Sequence, residues 1–468
     1  MDSILKLVYD HWYYKDGKKY NIPNGIHPAI VEQINKKIVE DNIWSSDAIA
    51  KLESDGPIMP FNEASFSGYF KRDCIDNVIR IDEISNYPNC IFLYLIEIRF
   101  TLLSLFSKHV YSNGGKSFEY SLKDTIPENT LKLLQSGKIK LLIEYTHDPI
   151  TQIQKIKSFE DYIKNIGIDP NNVIISAGNN FKEYFITYPD SKLKFTCGEL
   201  LIAQQFSNEI ANYPRYTDLG YISDMVRQDD LDLKIYRKKR FLCFNRTLKS
   251  HRFAIAHYAL KYKLLDDSIF SFINDHGYSV EHNVNITKKL LDSEPTLVEN
   301  LIKLKTMLPY EIDTQNLSFK QKTGFSIANS KKEWYIDTYI HLTTETCFET
   351  ENIFFSEKTW RPIANLQPFV YVGNYHALQK LKTLGFKTFH PFIDESYDLE
   401  TNHSIRINMI KEQIVNLKNK SMQEIHDWYY SITDILLHNQ KLFISFKDLK
   451  PFDKPLTDIV NFFKDENK

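Results

Sequence analysis

The 468-residue sequence lacks the short motifs that mark many enzyme classes. It has neither GxGxxG nor GxxxxGK[ST], which argues against a dehydrogenase and against a P-loop nucleoside triphosphatase. It also has no HExxH, no CxxC pair, no convincing DxD motif and no GxSxG nucleophile elbow. The acidic pairs at 229–230 and 266–267 are more typical of a solvated surface than of a metal site. The sequence therefore predicts no metal and no cofactor.

Long apolar runs and paired cysteines are also missing. The longest apolar run, residues 90–96, is strand-sized, whereas a membrane helix needs about 20 residues. The first ten residues lack the basic start and apolar centre of a signal peptide. The five cysteines are scattered and odd in number, which is typical of reduced thiols. These features predict a cytoplasmic protein without a membrane span.

Composition indicates a water-soluble globular protein of two or three domains. Apolar residues make up 43% and charged residues 25% of the chain, and the formal net charge is -2. Proteins that hold long nucleic acids by the backbone usually carry a strong basic excess, which this chain as a whole lacks, although a local basic patch stays possible. The sequence leaves the oligomeric state open.

The order of predicted elements indicates an α/β fold. Strands are predicted at 90–100, 138–145 and 173–176, with a helix at 158–166 that begins at Ser158; strand, helix and strand in sequence imply a parallel sheet. The second half repeats this pattern with strands at 240–245, 269–272, 334–342, 368–372 and 387–389, and helices at 251–263, 357–365 and 377–384. Two tail helices are predicted between 404 and 442. The first ninety residues are left unassigned.

Two polar clusters follow strands of the second half, where open α/β sheets bind ligands. The first cluster opens the helix after strand 240–245 and contains four side chains that can be cationic: Arg246, Lys249, His251 and Arg252. A helix N-terminus already favours an anion, so this cluster predicts a phosphate site, the alternative being a solvated loop. The second cluster follows strand 334–342 and contains Glu345, Ser356, Glu357, Lys358, Thr359 and Arg361. Ser356 is predicted to cap the next helix, a carboxylate can accept from ribose hydroxyls, and Lys358 or Arg361 can reach phosphate.

Two segments carry a resemblance to a known family. The segment 352–373, NIFFSEKTWRPIANLQPFVYVG, resembles the donor-binding segment of the α1,3-fucosyltransferases, with SEK in place of that family's TEK. The segment beginning RFLCFNRTLKSHR resembles glycosyltransferase-like proteins of phages, large viruses and bacteria. The match covers roughly residues 235–420. It implies a GT-B-like fold: two Rossmann-like domains facing across a cleft, with C-terminal helices. The expected segments are 1–225 on the acceptor side, 226–400 for the nucleotide sugar, and 401–468 for the helices.

The resemblance also implies a division of labour. Arg246, Lys249 and Arg252 would neutralise the diphosphate of a nucleotide sugar, Glu357 would hold the ribose, and Lys358 would contact phosphate. Fixed cations that stabilise the leaving diphosphate can replace a divalent metal. The hydroxyl acceptor, a glycan or a modified DNA base, needs a general base, for which residues at the end of strand 138–145 are the candidates: Glu144, His147 and Asp148. Two alternatives remain: a DNA-base-modifying transferase and a non-catalytic nucleotide-binding protein.

Overall fold

A computed structural model describes residues 4–15, 18–22, 24, 77–97, 109–113, 116–145, 153–178, 182–198, 200–212, 225–245, 249–272, 287–291, 296–307, 332–350, 352–450 and 452–464. The chain forms two compact units. Unit 1 comprises Met1–Leu201 and Lys450–Lys468, and unit 2 comprises Ile202–Leu449. The last helix of the chain therefore falls in unit 1, whereas the helices before it in the C-terminal tail fall in unit 2.

Unit 1 is built on a six-stranded sheet of parallel strands. Its described strands are β1 (Leu5–Tyr9), β2 (His11–Lys15), β3 (Lys18–Ile22), β4 (Val78–Arg80), β5 (Ile91–Glu97), β6 (His109–Asn113), β7 (Lys116–Tyr120), β8 (Lys140–Tyr145), β9 (Val173–Ala177) and β10 (Lys194–Cys197). The sheet order is β10-β9-β8-β5-β1-β4, while β2–β3 and β6–β7 form antiparallel pairs. Strand order reverses between β1 and β5, as in doubly wound folds.

Both faces of this sheet are buried. Alternate side chains of a strand point to opposite sides, so neighbouring residues of β1 fall in two different apolar clusters. Leu5 and Leu7 belong to one apolar cluster, and Val8 belongs to the other. The helices of unit 1 are α1 (Leu122–Thr125), α2 (Glu128–Gln135), α3 (Ile153–Asn165), α4 (Lys182–Thr187) and the final helix, α15 (Asp453–Lys464). The last of these packs on the first cluster, and its Asp458 accepts a hydrogen bond from Thr196 of β10 at 3.0 Å.

Unit 2 has a four-stranded parallel sheet in the order β12-β11-β13-β14. Its strands are β11 (Lys239–Asn245), β12 (Ser268–Phe272), β13 (Thr338–Thr344) and β14 (Phe369–Val372). The chain therefore starts in the sheet at β11, adds β12 on one side, and then adds β13 and β14 on the other. This reversal places the ligand-binding crevice expected of such sheets at the carboxyl ends of β11 and β13.

Helices surround the sheet of unit 2 and complete its core. They are α5 (Leu201–Asn212), α6 (Gln228–Asp232), α7 (Ser250–Lys261), α8 (Leu297–Met307), α9 (Lys332–Ile336), α10 (Glu357–Ala364), α11 (Ala377–Thr383), α12 (His403–Asn419), α13 (Met422–Ser431) and α14 (Thr433–Ser445). The buried Trp360 of α10 stacks on Phe443 of α14, with ring centroids 5.5 Å apart. Arg237 donates to the Thr338 carbonyl and to the Tyr429 hydroxyl, which fixes α13 against β13.

Four sequence-based element predictions were wrong. Residues 334–336 belong to helix α9, and the predicted strand 334–342 begins only at Thr338. Residues 387–389 form no strand. Helix α3 begins at Ile153, so Ser158 is not its cap but lies in its first half and donates to the Gln154 carbonyl. The tail holds three helices before residue 446 rather than two.

Candidate functional site

The strand reversal in unit 2 brings the ends of β11 and β13 together. The Thr344 hydroxyl, on the last residue of β13, donates to the Asn245 amide oxygen at the end of β11 over 2.6 Å. Both residues are almost fully buried. The first polar cluster follows Asn245 and the second follows Thr344, so the fold places the two clusters at one edge of the sheet.

Glu345, the next residue, connects this edge to two helices. Its carboxylate accepts hydrogen bonds from the Thr346 and Ser356 backbone N–H groups, at 2.7 and 3.0 Å, and from the Ser356 and Thr359 hydroxyls, at 2.7 and 2.6 Å. Glu345, Ser356 and Thr359 are all buried. The sequence predicted that these three residues contact the nucleotide sugar directly. Such contact would require them to give up these hydrogen bonds, so the geometry favours a role in holding the start of the helix in place.

The first cluster begins with Arg246, which lies outside the described residues. Lys249 precedes α7 and donates from Nζ to the Thr346 carbonyl at 2.7 Å. Arg252 is buried and donates to the Glu345 carbonyl at 3.0 Å. Burial lowers the pKa of Arg252, while the charges of Glu357 and Glu345 oppose that change, and a guanidinium stays protonated in proteins.

His251 does not supply the positive charge predicted from the sequence. It is buried, its ring stacks on Phe348 with centroids 5.3 Å apart, and its Nε2 lies 2.8 Å from the Glu345 carbonyl. Because a carbonyl only accepts, Nε2 carries the proton of a neutral imidazole. Burial, and secondly the nearby Arg252 charge, hold the pKa of His251 well below its usual range.

The second cluster occupies the start of α10. The structure confirms Ser356 as the cap of this helix, since its hydroxyl accepts from the Lys358 N–H at 3.3 Å. Lys358 Nζ lies 2.5 Å from Glu357 Oε1 and 3.3 Å from Ser356 Oγ. Burial opposes ionisation of Glu357, but the charges of Lys358 and Arg361 outweigh it and lower the pKa of Glu357 to about 2. Glu357 is therefore an anion at neutral pH.

Among the residues that the structure describes, this edge carries more positive than negative charge. Four predicted residues bring cations to it: Lys249, Arg252, Lys358 and Arg361. Against them stand the carboxylates of Glu345 and Glu357 and, beside the start of α7, that of Glu349, which accepts from the Ser250 hydroxyl at 2.7 Å. Two helices begin here, and helix N-termini add partial positive charge. Such a setting suits an anionic ligand, and the Glu357 carboxylate can accept from its hydroxyls.

The predicted general bases are only partly described. Glu144 lies near the end of β8 and is 2% exposed, so its side chain is enclosed in unit 1. His147 and Asp148 lie outside the described residues. Sequence patterns did not reveal a different carboxylate, Asp10, at the end of β1. It accepts from the Tyr94 hydroxyl at 2.6 Å and from the Thr130 hydroxyl at 2.5 Å.

Asp10 stands where the strand order of unit 1 reverses. The buried Asn24 donates to the carbonyls of Val8 on β1 and Leu95 on β5, at 2.8 and 3.2 Å, and so joins the two strands. Its amide oxygen accepts from the Asp10 N–H at 3.3 Å. The only sequence signal was an Asp directly after a five-residue strand that includes Lys6, and this strand is too short to assign from sequence alone.

The basic run at 238–240 forms no concentrated cationic patch. Lys238 pairs with Asp337 at 3.0 Å, Lys239 donates to a backbone carbonyl, and the buried Arg240 pairs with Asp267 at 2.7 Å. These residues lie at the start of β11, opposite the edge that carries the candidate site. In the part of the chain that the structure describes, no three metal-ligating side chains cluster, and no helix is long and apolar enough to span a membrane.

A comparison with protein-family models finds no match, and a comparison with curated proteins finds none. Among solved structures, the chain is similar to a UDP-forming α,α-trehalose-phosphate synthase from Burkholderia xenovorans, with 10% identity, a TM-score of 0.39, and 98% of this chain and 99% of that chain covered. It is also similar to an α,α-trehalose 6-phosphate synthase from Burkholderia multivorans, with 8% identity, a TM-score of 0.35, and 83% and 93% covered.

Proposed function

We propose that this chain is a glycosyltransferase that moves a sugar from a nucleotide-diphosphate sugar to a hydroxyl acceptor, without a metal ion. The observation that carries the proposal is the excess of fixed cations at the strand reversal of unit 2, beside two helix starts. Lys249 and Lys358 approach this edge from α7 and α10, the two helices that begin there. A leaving diphosphate is the ligand for which such charge gives the largest benefit, because its negative charge grows in the transition state.

Each residue then has a role. Lys249, Arg252 and Lys358 neutralise the diphosphate, together with Arg246, which is close in sequence to the first two. Glu357 accepts from the ribose hydroxyls, as the resemblance to α1,3-fucosyltransferases implies. The acceptor is a glycan or a modified base, and Glu144, His147 or Asp148 takes its proton, as predicted from the sequence. The four described cysteines, all free thiols, favour a cytoplasmic location.

Transfer assays with UDP-, GDP-, ADP- and CMP-linked sugars test this function. Release of nucleotide, accelerated by a glycan or by DNA with hydroxymethylated bases, would support it and identify the acceptor. Binding of a nucleotide sugar without any release would instead support a non-catalytic nucleotide-binding protein. A donor that binds also raises the apparent stability by RT ln(1 + [L]/Kd), so a thermal shift gives an independent signal.

A further inference from the structure

Glu345 has a hydrogen-bonding pattern that only a carboxylate can provide. Oε1 accepts from the Ser356 N–H and the Thr359 hydroxyl, and Oε2 accepts from the Thr346 N–H and the Ser356 hydroxyl. Each oxygen thus accepts one backbone N–H and one hydroxyl. Hydroxyls can rotate to accept instead, but backbone N–H groups cannot. A glutamine at 345 would therefore point its NH₂ group at one backbone N–H, whichever way its amide is turned.

The same residue holds α7 through its main chain. The Glu345 carbonyl accepts from His251 Nε2 at 2.8 Å and from Arg252 at 3.0 Å. The segment after β13 is thereby tied to the first turn of α7 by its carbonyl and to the first turn of α10 by its carboxylate. Glu345 is therefore the residue that bonds to both cation-bearing turns, beside the Lys249–Thr346 and Ser250–Glu349 hydrogen bonds, which hold the start of α7 to the same segment.

We infer that Glu345 is a positioning residue, which sets the spacing of Arg252 and Lys358 for the diphosphate without contacting the ligand. This inference rests on the proposed function, because it assigns the purpose of the spacing to a nucleotide diphosphate. The carboxylate is fully buried and already accepts four hydrogen bonds. Its effect on binding must therefore pass through the start of α10 and the side chain of Lys358.

The test compares Glu345→Gln with a matched control, Glu395→Gln. Glu395 is also a buried carboxylate of unit 2, and it accepts from the Phe389 N–H at 2.7 Å and from the Thr388 hydroxyl at 2.6 Å. Its hydrogen-bond partners Phe389, Thr388 and Lys382 all lie outside the candidate site. Calorimetric titration with UDP, GDP, ADP and CDP gives the affinity, and urea unfolding gives the stability, of each variant and of the wild type.

We expect both variants to unfold more readily, and only Glu345→Gln to bind the preferred nucleotide more weakly, by up to the roughly 10- to 150-fold that loss of one charge-assisted contact from a displaced Lys358 causes. Unchanged affinity in Glu345→Gln, or an equal loss in Glu395→Gln, overturns the positioning role while leaving the proposed function intact. If the wild type binds none of the four nucleotides, both proposals fail. Should Glu345→Gln not fold, Thr359→Val removes one of the four bonds, and unchanged affinity there overturns the inference equally.

Discussion

Replacing Lys358 with methionine removes an ammonium group that we propose neutralises the diphosphate, while nearly keeping the length of the side chain. Lys358 Nζ lies 2.5 Å from Glu357 and 3.3 Å from Ser356, and the side chain is 18% exposed. Its ammonium group has three donors, so a phosphate oxygen can be bound alongside these two partners. Lys358 and Arg361 together lower the pKa of Glu357 to about 2, and the substitution removes the larger of these two effects.

The expected loss is that of one charge-assisted contact. Such a contact contributes about 1.5–3 kcal/mol, which corresponds to roughly a 10- to 150-fold weaker affinity for the nucleotide diphosphate. In this variant burial still raises the pKa of Glu357, while the Arg361 charge still lowers it. The salt dependence of the affinity should fall with the lost phosphate contact.

The assay is calorimetric titration of the nucleotide at two salt concentrations, with Lys238→Met as the control. Lys238 also forms an ion pair, with Asp337 at 3.0 Å, but its side chain is 76% exposed and lies at the opposite edge of the sheet. The control should bind like the wild type, since exposed pairs contribute little. Equal affinities for Lys358→Met and Lys238→Met would refute the phosphate role of Lys358.

The structure makes four further predictions. Burial, and secondly the Arg361 charge, lower the pKa of His341 to about 3, so the unfolded chain binds the proton first and the free energy of unfolding falls as pH drops from 6.5 toward 3. His341→Leu should remove about 2 kcal/mol of that loss at pH 5, as measured by urea unfolding at pH 7 and pH 5. An unchanged pH dependence of stability would contradict this. Gly373→Ala should cost about 1–3 kcal/mol, because the new Cβ would lie 2.5 Å from the Tyr371 ring; an unchanged melting temperature would show that the ring moves freely. Turnover should survive EDTA, and loss of turnover that manganese restores would disprove metal independence. The general base is tested with Glu144→Gln, His147→Ala and Asp148→Asn. Substitution of the true base should lower turnover roughly 10²–10⁴-fold while the affinity for the nucleotide sugar is kept. Near-normal turnover in all three variants would point to another residue, such as Asp10.

The parallel sheets were predictable because their strands are local apolar runs between turn signals. β9, β11 and β14 lie close to their predicted positions. β1 was missed because it is short and includes Lys6, whose ammonium group is satisfied by Asn77, 71 residues away. The aromatic run beginning at Trp334 read as a strand because short apolar runs fit both periods. In the structure, residues 334–336 form the end of helix α9, before β13 begins.

The candidate site was predictable as two clusters, since each follows a strand of one parallel sheet. The sequence could not show which of the polar side chains carry a charge and which only hold the helices in place. His251 looks cationic in the sequence, but burial beside Arg252 makes it neutral. Glu345 looks like a ligand-binding acid, but its carboxylate bonds to residues 11 and 14 positions further along. Such assignments depend on burial and on non-local partners, which no local pattern encodes.

The most direct test of the central claim is a calorimetric titration of the wild-type protein with UDP, GDP, ADP and CDP at low salt. A diphosphate site built from Lys249, Arg252 and Lys358 predicts that at least one nucleotide binds, and that its affinity weakens as salt rises, because charged contacts are screened. The corresponding monophosphate should bind more weakly, since it presents fewer charges to the cations. Absence of binding by all four diphosphates at millimolar concentration would contradict the account.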